Sequence, residues 1–395
     1  MALRQQKPSG ANEETSRRGY SQRWSKVTMT LVSMHTVTGG ERVGKNLIIN
    51  LDDVILVTGA NGFIGARVVR SLLNLGFRNL RCFVRPTSDL ASIMALLENE
   101  DNGARVDLRR GNLLSETDCL RATEGVATVI HLAAGRGEKS FPDAYLNSVV
   151  TTRNLLEATL IHKCLQRFVN VSSFAVYDNM ARRRKEVLDE KCPVEVPAHR
   201  RGEAYSFAKI KQDELVIRYG REFSIPYVIV RPGYVYGPGK RAISGRVGID
   251  TFGFFIHLGG SNPVPITYVE NCADAIALAA VRPDVDGEVF NIVDDDLPSS
   301  RGFLRLYKKY VRRFASVYVP HPVSYLMCWL WERYCVWSED QLPPVFNRSR
   351  WHANWRRTRY SNRKLKARLG WKPRVSTMAG LGRFFEYCRQ GAPDA

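Results

Sequence analysis

One segment limits the fold more than any other. The apolar run Val54-Ile55-Leu56-Val57 breaks directly into Thr58-Gly59-Ala60-Asn61-Gly62-Phe63-Ile64-Gly65, and a helix-like stretch from Ala66 to Leu75 follows. A short continuous apolar run that ends in glycines is the pattern of a strand buried on both faces. The glycines stand as G-x-x-G-x-x-G, one residue wider at the start than the ordinary dinucleotide fingerprint. Gly59 permits the tight turn, Gly62 lets the backbone approach a pyrophosphate, and Gly65 allows close packing of helix on strand. The helix N-terminus then offers unpaired N–H groups and a partial positive charge to the phosphates. Strand, loop and helix in that order predict a dinucleotide site, with Asn61, Phe63 and Ile64 beside the three glycines and NADP or NAD as the cofactor.

Further apolar runs lie at Leu80 to Val84, Thr128 to Leu132, Phe168 to Val171 and Tyr227 to Val230, with helix-like stretches at Tyr145 to Leu160 and Ser206 to Tyr219. This alternation predicts an α/β protein built on a Rossmann-type doubly wound parallel sheet. After Pro232 the pattern becomes irregular and glycines crowd between Gly233 and Gly260. Loops over the carboxyl ends of parallel strands have this character, and ligands bind there. The expected division is a flexible basic extension over 1–50, an NAD(P)-binding Rossmann domain over 51–235, and a smaller, mostly helical substrate-binding region or lid over 236–395. Residues 266–295 are expected to return to the sheet, and 301–395 to form short helices at best.

The second strand should end in the group that reads the adenosine ribose. Here Val84 is followed by Arg85-Pro86-Thr87-Ser88, with no carboxylate before Asp89. A guanidinium suits a 2′-phosphate, so Arg85 favours NADP over NAD.

Charge narrows the partners. The 395 residues carry 58 Lys and Arg against 39 Asp and Glu, yet residues 51–300 hold 30 and 31 while residues 301–395 hold 20 and 5. The middle is neutral and the ends are basic, which fits an anionic substrate or membrane surface better than DNA, because no recognition-helix or zinc-finger pattern accompanies the charge. No nucleic-acid partner is expected. The eight cysteines include no C-x-x-C pair, so no metal site is expected and the thiols read as reduced core residues. An Arg-, Ser- and Gln-rich start without an apolar core argues against a secretory signal, and no run reaches the roughly 18–20 apolar residues of a membrane span. The expected location is the cytoplasm, with a peripheral membrane contact and a homodimer left open.

Several motifs in order resemble the extended short-chain dehydrogenase/reductases of the NAD-dependent epimerase/dehydratase family. They are TGANGFIG at 58–65, GNL at 111–113, HLAA at 131–134, VSSFAVY at 171–177, YSFAK at 205–209, RPGYVYGPG at 231–239 and ITYVENCADAIALA at 266–279. The resemblance implies Ser173, Tyr205 and Lys209 as the catalytic set. It also implies cofactor contacts from Asn112, Leu113, Ala133, Ala134, Tyr205, Lys209, Arg231 and Pro232. Tyr-x-x-x-Lys occurs twice, at Tyr205/Lys209 and Tyr360/Lys364. Only the first follows a strand end bearing serine and opens a helix, so Lys364 reads as surface charge. On a helix, residues four apart share a face, so the Lys209 ammonium, together with the positive charge of an oxidised nicotinamide, should lower the Tyr205 phenol from its usual pKa near 10. The phenol then exchanges a proton with a hydroxyl or carbonyl while hydride passes to or from nicotinamide. His131 reads as a packed structural histidine, and Asn147 as a packing polar residue.

The reaction is narrowed by what stands beside Ser173. Family members that dehydrate nucleotide sugars carry an acidic pair where this chain has Phe174 and Ala175. Dehydration is therefore disfavoured, leaving epimerisation or net oxidation and reduction. Tyr234, Arg241 and Arg246 are the candidate substrate contacts. A nucleotide-linked sugar for polysaccharide biosynthesis is the expected substrate. The alternatives are a ketone or alcohol of the kind handled by 3-beta-hydroxysteroid dehydrogenases and dihydroflavonol reductases, and a non-catalytic NAD(P)-binding regulator. Tyr325 to Trp331 has an interfacial look, but core packing beneath the basic tail is the expected role.

Overall fold

The computed structural model describes residues 28–30, 46–97, 103–135, 140–181, 186–251, 253–338 and 346–391. The chain begins with β1 (Thr28–Thr30), β2 (Val54–Thr58), α1 (Gly65–Asn74), β3 (Asn79–Val84), α2 (Ala91–Leu97), β4 (Arg105–Arg110), α3 (Glu116–Thr123) and β5 (Val126–His131). Next come α4 (Phe141–Tyr145), a π-helical turn (Leu146–Val150), α5 (Thr151–His162), β6 (Arg167–Val171), a 3-10 turn (Phe174–Val176), β7 (Val187–Leu188), α6 (Ala204–Phe223) and β8 (Tyr227–Pro232). Short strands β9 (Tyr234–Tyr236), β10 (Gly248–Thr251), β11 (Phe254–His257) and β12 (Ile266–Tyr268) lead to α7 (Val269–Val281) and β13 (Val289–Ile292). The remainder is α8 (Ser300–Tyr310), β14 (Ser316–Tyr318), α9 (His321–Trp337), α10 (Arg348–Trp355), β15 (Arg359–Tyr360), α11 (Arg363–Leu369) and α12 (Thr377–Gln390).

Seven strands run parallel in the order β4-β3-β2-β5-β6-β8-β13, as the alternating pattern requires. Alternate residues of a strand face opposite sides of the sheet, and here both sides are buried. Ile55 and Val57 join α1 residues Val68, Val69 and Leu72 and the alanine-rich α7, whereas Leu56 joins Cys119, Leu155 and Val216 of α3, α5 and α6. The direction of winding reverses between β2 and β5. That switch opens a crevice above their carboxyl ends.

Two expectations need correction. Within the segment expected to be a flexible extension, residues 28–30 pair antiparallel with Arg105–Asp107 and add an edge strand to the sheet; residues 1–27 and 31–45 lie outside the described residues. The tail is also more helical than expected, since α9 spans 17 residues and α12 spans 14. Pro322 stands in the first turn of α9, and no Gly or Pro interrupts the 15 residues that follow it in the helix. The Ser376 hydroxyl accepts the Ala379 N–H and caps α12.

The stretch Tyr325 to Trp331 is packed beneath the tail only in part: Tyr325 lies half-buried against Trp351, and Trp331 half-buried beside Phe346. Leu326, Met327, Trp329 and Leu330 are exposed, and Cys328 is its buried residue. The buried residues of α9 are Ser324, Cys328 and Cys335, which leaves most of its bulky side chains facing out. Elsewhere the C-terminal region has a proper aromatic core of Tyr236, Tyr268, Phe303, Tyr307, Phe384 and Phe385.

Candidate active site

The loop between β2 and α1 is shaped by contacts that a side chain would break. Gly59 has φ +68°, and a Cβ on Gly65 would lie 2.1 Å from the Gly59 carbonyl oxygen. The Gly59 N–H donates to the Phe83 carbonyl at 3.1 Å, tying the loop to the end of β3. No side chain caps α1, and its first turn carries no acid. A close-packed glycine cradle at an uncapped helix N-terminus fits the pyrophosphate of a dinucleotide. Asn61 donates to the Asp89 carbonyl at 3.2 Å and holds the turn that contains the exposed Arg85.

Across the switch point, Thr58 and His131 face each other in register. The Thr58 hydroxyl bonds His131 Nδ1 at 2.8 Å and accepts the Ala133 N–H at 3.2 Å, while His131 Nε2 meets the Thr152 hydroxyl at 2.9 Å. Burial pushes the imidazole pKa down to about 3, so the ring is neutral. Its two hydroxyl partners and full enclosure make it a packing group. Asn147 donates to both the carbonyl and the carboxylate of Asp143 at 3.0 Å.

Ser173 stands just past the end of β6 and Tyr205 in the first turn of α6. Their hydroxyls stand close together in one cleft, and Tyr205 keeps 37% of its surface open. The phenol pKa lies above its ordinary value because lost solvation outweighs the effect of the Ser173 hydroxyl, with the Asp213 charge adding to the rise. The Lys209 ammonium alone does not offset that rise. Lys209 instead donates to the Val171 carbonyl at 2.7 Å and to Gln212 Oε1 at 3.0 Å. Burial pushes its ammonium down to about 8, with the Asp213 carboxylate opposing.

Asp213 went unnoticed in the sequence, although it lies one helical turn beyond Lys209. Its carboxylate accepts from Asn170 at 2.9 Å, Ser172 at 3.0 Å and Arg231 at 3.0 Å. Arg231 is thereby held in the interior, its guanidinium 4.8 Å from the Tyr177 ring centre. Asn112 is also engaged locally, since its Oδ1 accepts the Leu114 N–H at 3.0 Å. Leu113 is buried, Ala133 and Ala134 are half-buried at the end of β5, and Pro232 closes β8.

A cleft of about 390 Å³ joins these pieces. Phe63, Ile64, Ser173, Tyr205, Tyr234 and Arg246 line it, together with Lys240, Ser244 and Asn354 that motif reading missed. Arg241 is not among the lining residues; its guanidinium lies 4.8 Å from the centre of the Tyr387 ring. Lys240 sits over the Tyr234 ring at 4.2 Å, and Arg246 donates to the Ala353 carbonyl at 2.6 Å. Among the described residues neither cation is paired with a carboxylate, and no acidic residue lines the cleft.

The sequence pattern of the NAD dependent epimerase/dehydratase family matches residues 55–293. Among curated relatives, the trifunctional UDP-glucose 4,6-dehydratase/UDP-4-keto-6-deoxy-D-glucose 3,5-epimerase/UDP-4-keto-L-rhamnose-reductase of Arabidopsis thaliana is 28% identical over 258 residues. The match covers 60% of this chain but only 36% of that protein. GDP-mannose 3,5-epimerase of the same plant is 25% identical over 339 residues, 83% of this chain and 80% of that one. The structure of UDP-glucuronic acid 4-epimerase from Bacillus cereus with UDP-glucuronic acid and NAD shares the fold, with TM-score 0.63, 22% identity and coverage of 85% of this chain and 99% of that one. The matched pattern runs from β2 to the end of β13 and takes in the glycine loop and the Ser173, Tyr205 and Lys209 positions; the chain belongs to the NAD dependent epimerase/dehydratase family.

Proposed function

We propose that the protein is an NAD(P)-dependent epimerase or oxidoreductase acting at a hydroxyl or carbonyl carbon of a nucleotide-linked sugar. The observation that carries this reading is one cleft that presents the Ser173 and Tyr205 hydroxyls alongside two unpaired cations, Lys240 and Arg246. When bound, the nicotinamide supplies the hydride acceptor or donor. Tyr205 takes up or returns the proton at the sugar oxygen, and Ser173 donates a hydrogen bond to that oxygen. Lys209, fixed by Val171 and Gln212, supplies the nearby positive charge. Lys240 and Arg246 receive the diphosphate, with Tyr234 on the wall between them. The glycine loop holds the cofactor, and Arg85 reads a 2′-phosphate on its ribose. Residues 51–235, with 266–295 returning to the sheet, form the cofactor side, and the rest of 236–395 forms the substrate side of a cytoplasmic enzyme.

Phe174 is buried and stacked on Tyr360 at 5.7 Å, and Ala175 carries no ionisable group. Among the described residues no acid lines the cleft beside Ser173 to protonate a leaving hydroxyl, which supports epimerisation or net redox chemistry over dehydration. The test is a panel of UDP-, GDP- and dTDP-sugars followed by nicotinamide absorbance and product stereochemistry. Turnover without net absorbance change marks an epimerase. Tyr205→Phe should lower kcat by about 10²–10⁴-fold with cofactor binding retained. Full turnover by that variant would remove the assignment.

A further inference from the structure

We propose that α9 is an in-plane anchor that docks the protein on an anionic lipid bilayer. An ordinary surface helix turns its apolar stripe inward and its polar face to water. Here the order is reversed. Val323, Leu326, Leu330, Tyr334 and Trp337 follow three- and four-residue spacing along one side, and all are exposed, from 45% at Tyr334 to 78% at Trp337. Met327, Trp329 and Val336 widen that stripe, while the buried residues are Ser324, Cys328 and Cys335. The helix carries two charged residues, Glu332 and Arg333, and Glu332 is taken by Arg348 at 2.6 Å. This apolar face is the wrong way out for a helix bathed in water.

What covers it is indicated by the charge beside it. Residues 301–320 contain six Arg and Lys and no Asp or Glu. Arg301 lies over the Tyr318 ring at 5.2 Å, and Lys308 and Arg312 lie over Phe314 at 4.9 and 5.6 Å. These cations therefore flank β14, whose exposed Val317 and Tyr318 run through Val319 and Pro320 into α9. A second copy seated on this face would bring two cationic collars together, at an electrostatic cost. Anionic headgroups neutralise the collar and their acyl chains receive the stripe. At 17 residues α9 is roughly 25 Å long, short of the roughly 20 residues of a span. No helix among the described residues is long and apolar enough to cross a membrane. Tryptophan and tyrosine suit the headgroup level at which an in-plane helix lies.

Docking would bring the cleft to the membrane surface. Trp351 of α10 donates to the Ser324 hydroxyl at 2.9 Å and packs on Tyr325 at 5.1 Å, and Asn354 of the same helix lines the cleft. The test is co-sedimentation of the full chain with vesicles of equimolar phosphatidylglycerol and phosphatidylcholine, or of phosphatidylcholine alone, with tryptophan emission recorded in parallel. The expected result is binding to the anionic vesicles, with a blue shift, that weakens as salt rises. The combined variant Leu326→Ser, Leu330→Ser, Trp337→Ser should lower the partition coefficient about tenfold or more. Its circular dichroism and turnover should be unchanged. Arg312→Glu with Arg313→Glu, which leaves the stripe intact, should weaken binding as well. No binding of the wild type to anionic vesicles at low salt overturns the proposal. So does a concentration-dependent dimer that the serine variant dissociates while vesicle binding is unaffected.

Discussion

The parallel sheet and helix α9 use the same kinds of residue in opposite ways. In β2, Ile55, Leu56 and Val57 are wholly enclosed, because a strand covered on both faces has no side left for water. In α9, Leu326, Leu330 and Trp337 stand outside while serine and cysteine face in. Apolar sequence thus states that a surface must be covered but not what covers it. In the sheet the cover is the rest of the chain.

The strongest way to break this contrast is to charge the sheet interior. His131 is enclosed between Thr58 and Thr152 with its pKa pushed down to about 3, against about 6.5 in the unfolded chain. Between those values the unfolded state binds a proton that the native state refuses. Stability from this residue is therefore full above about pH 6.5 and is lost as pH falls toward 3, by on the order of 5 kcal/mol in all. Urea unfolding at a series of pH values should show a shallower acid slope for His131→Asn than for wild type. Equal slopes would mean that the ring is protonated in the native protein.

Slightly smaller is the effect of removing one buried partner. Asp213→Ala strips Arg231 of its counterion and should cost about 3–5 kcal/mol, whereas pairing it with Arg231→Met should recover part of that loss. Calorimetric midpoints of the two variants decide the matter. Trp371→Ala belongs in the same range, about 3–5 kcal/mol, since the indole is 1% exposed and donates to the Asn271 carbonyl at 3.0 Å.

Much of the sheet was legible because each strand is a short apolar run and each glycine of the loop has a local task. In the second Tyr-x-x-x-Lys motif Tyr360 stacks on Phe174, and Lys364 pairs with Glu288 at 2.6 Å. Side-chain direction was not legible. Arg241 and Arg246 read alike in sequence as substrate contacts, yet one lies on Tyr387 and the other lines the cleft, while Arg231 is locked on Asp213. Asn354 was beyond reach for another reason. It comes to the cleft on α10, and nothing local to it records that long-range packing.

At the cleft, Lys240→Gln should raise KM for a diphosphate-bearing substrate about tenfold, leave kcat nearly intact, and flatten the dependence of KM on salt. Steady-state kinetics at two ionic strengths would show it. An unchanged KM would place the anion elsewhere, with Arg246 the next residue to replace.

The smallest expected effect is the sharpest test of the comparison. Trp337 is a large aromatic residue, and in the sheet or beside Asn271 the loss of such a side chain leaves a cavity and forfeits its transfer free energy. At 78% exposure it has little of either to lose. Trp337→Ser should therefore shift stability by no more than about 0.5 kcal/mol, the range of ordinary surface changes. Leu330→Ser, exposed at 52%, should behave the same way. Removing apolar surface from water in the native state, if it is uncovered, gains slightly in solubility and nothing in packing. A loss above about 1 kcal/mol from either change would show that this face is already covered by the folded chain, and α9 would then rank with the sheet instead of against it.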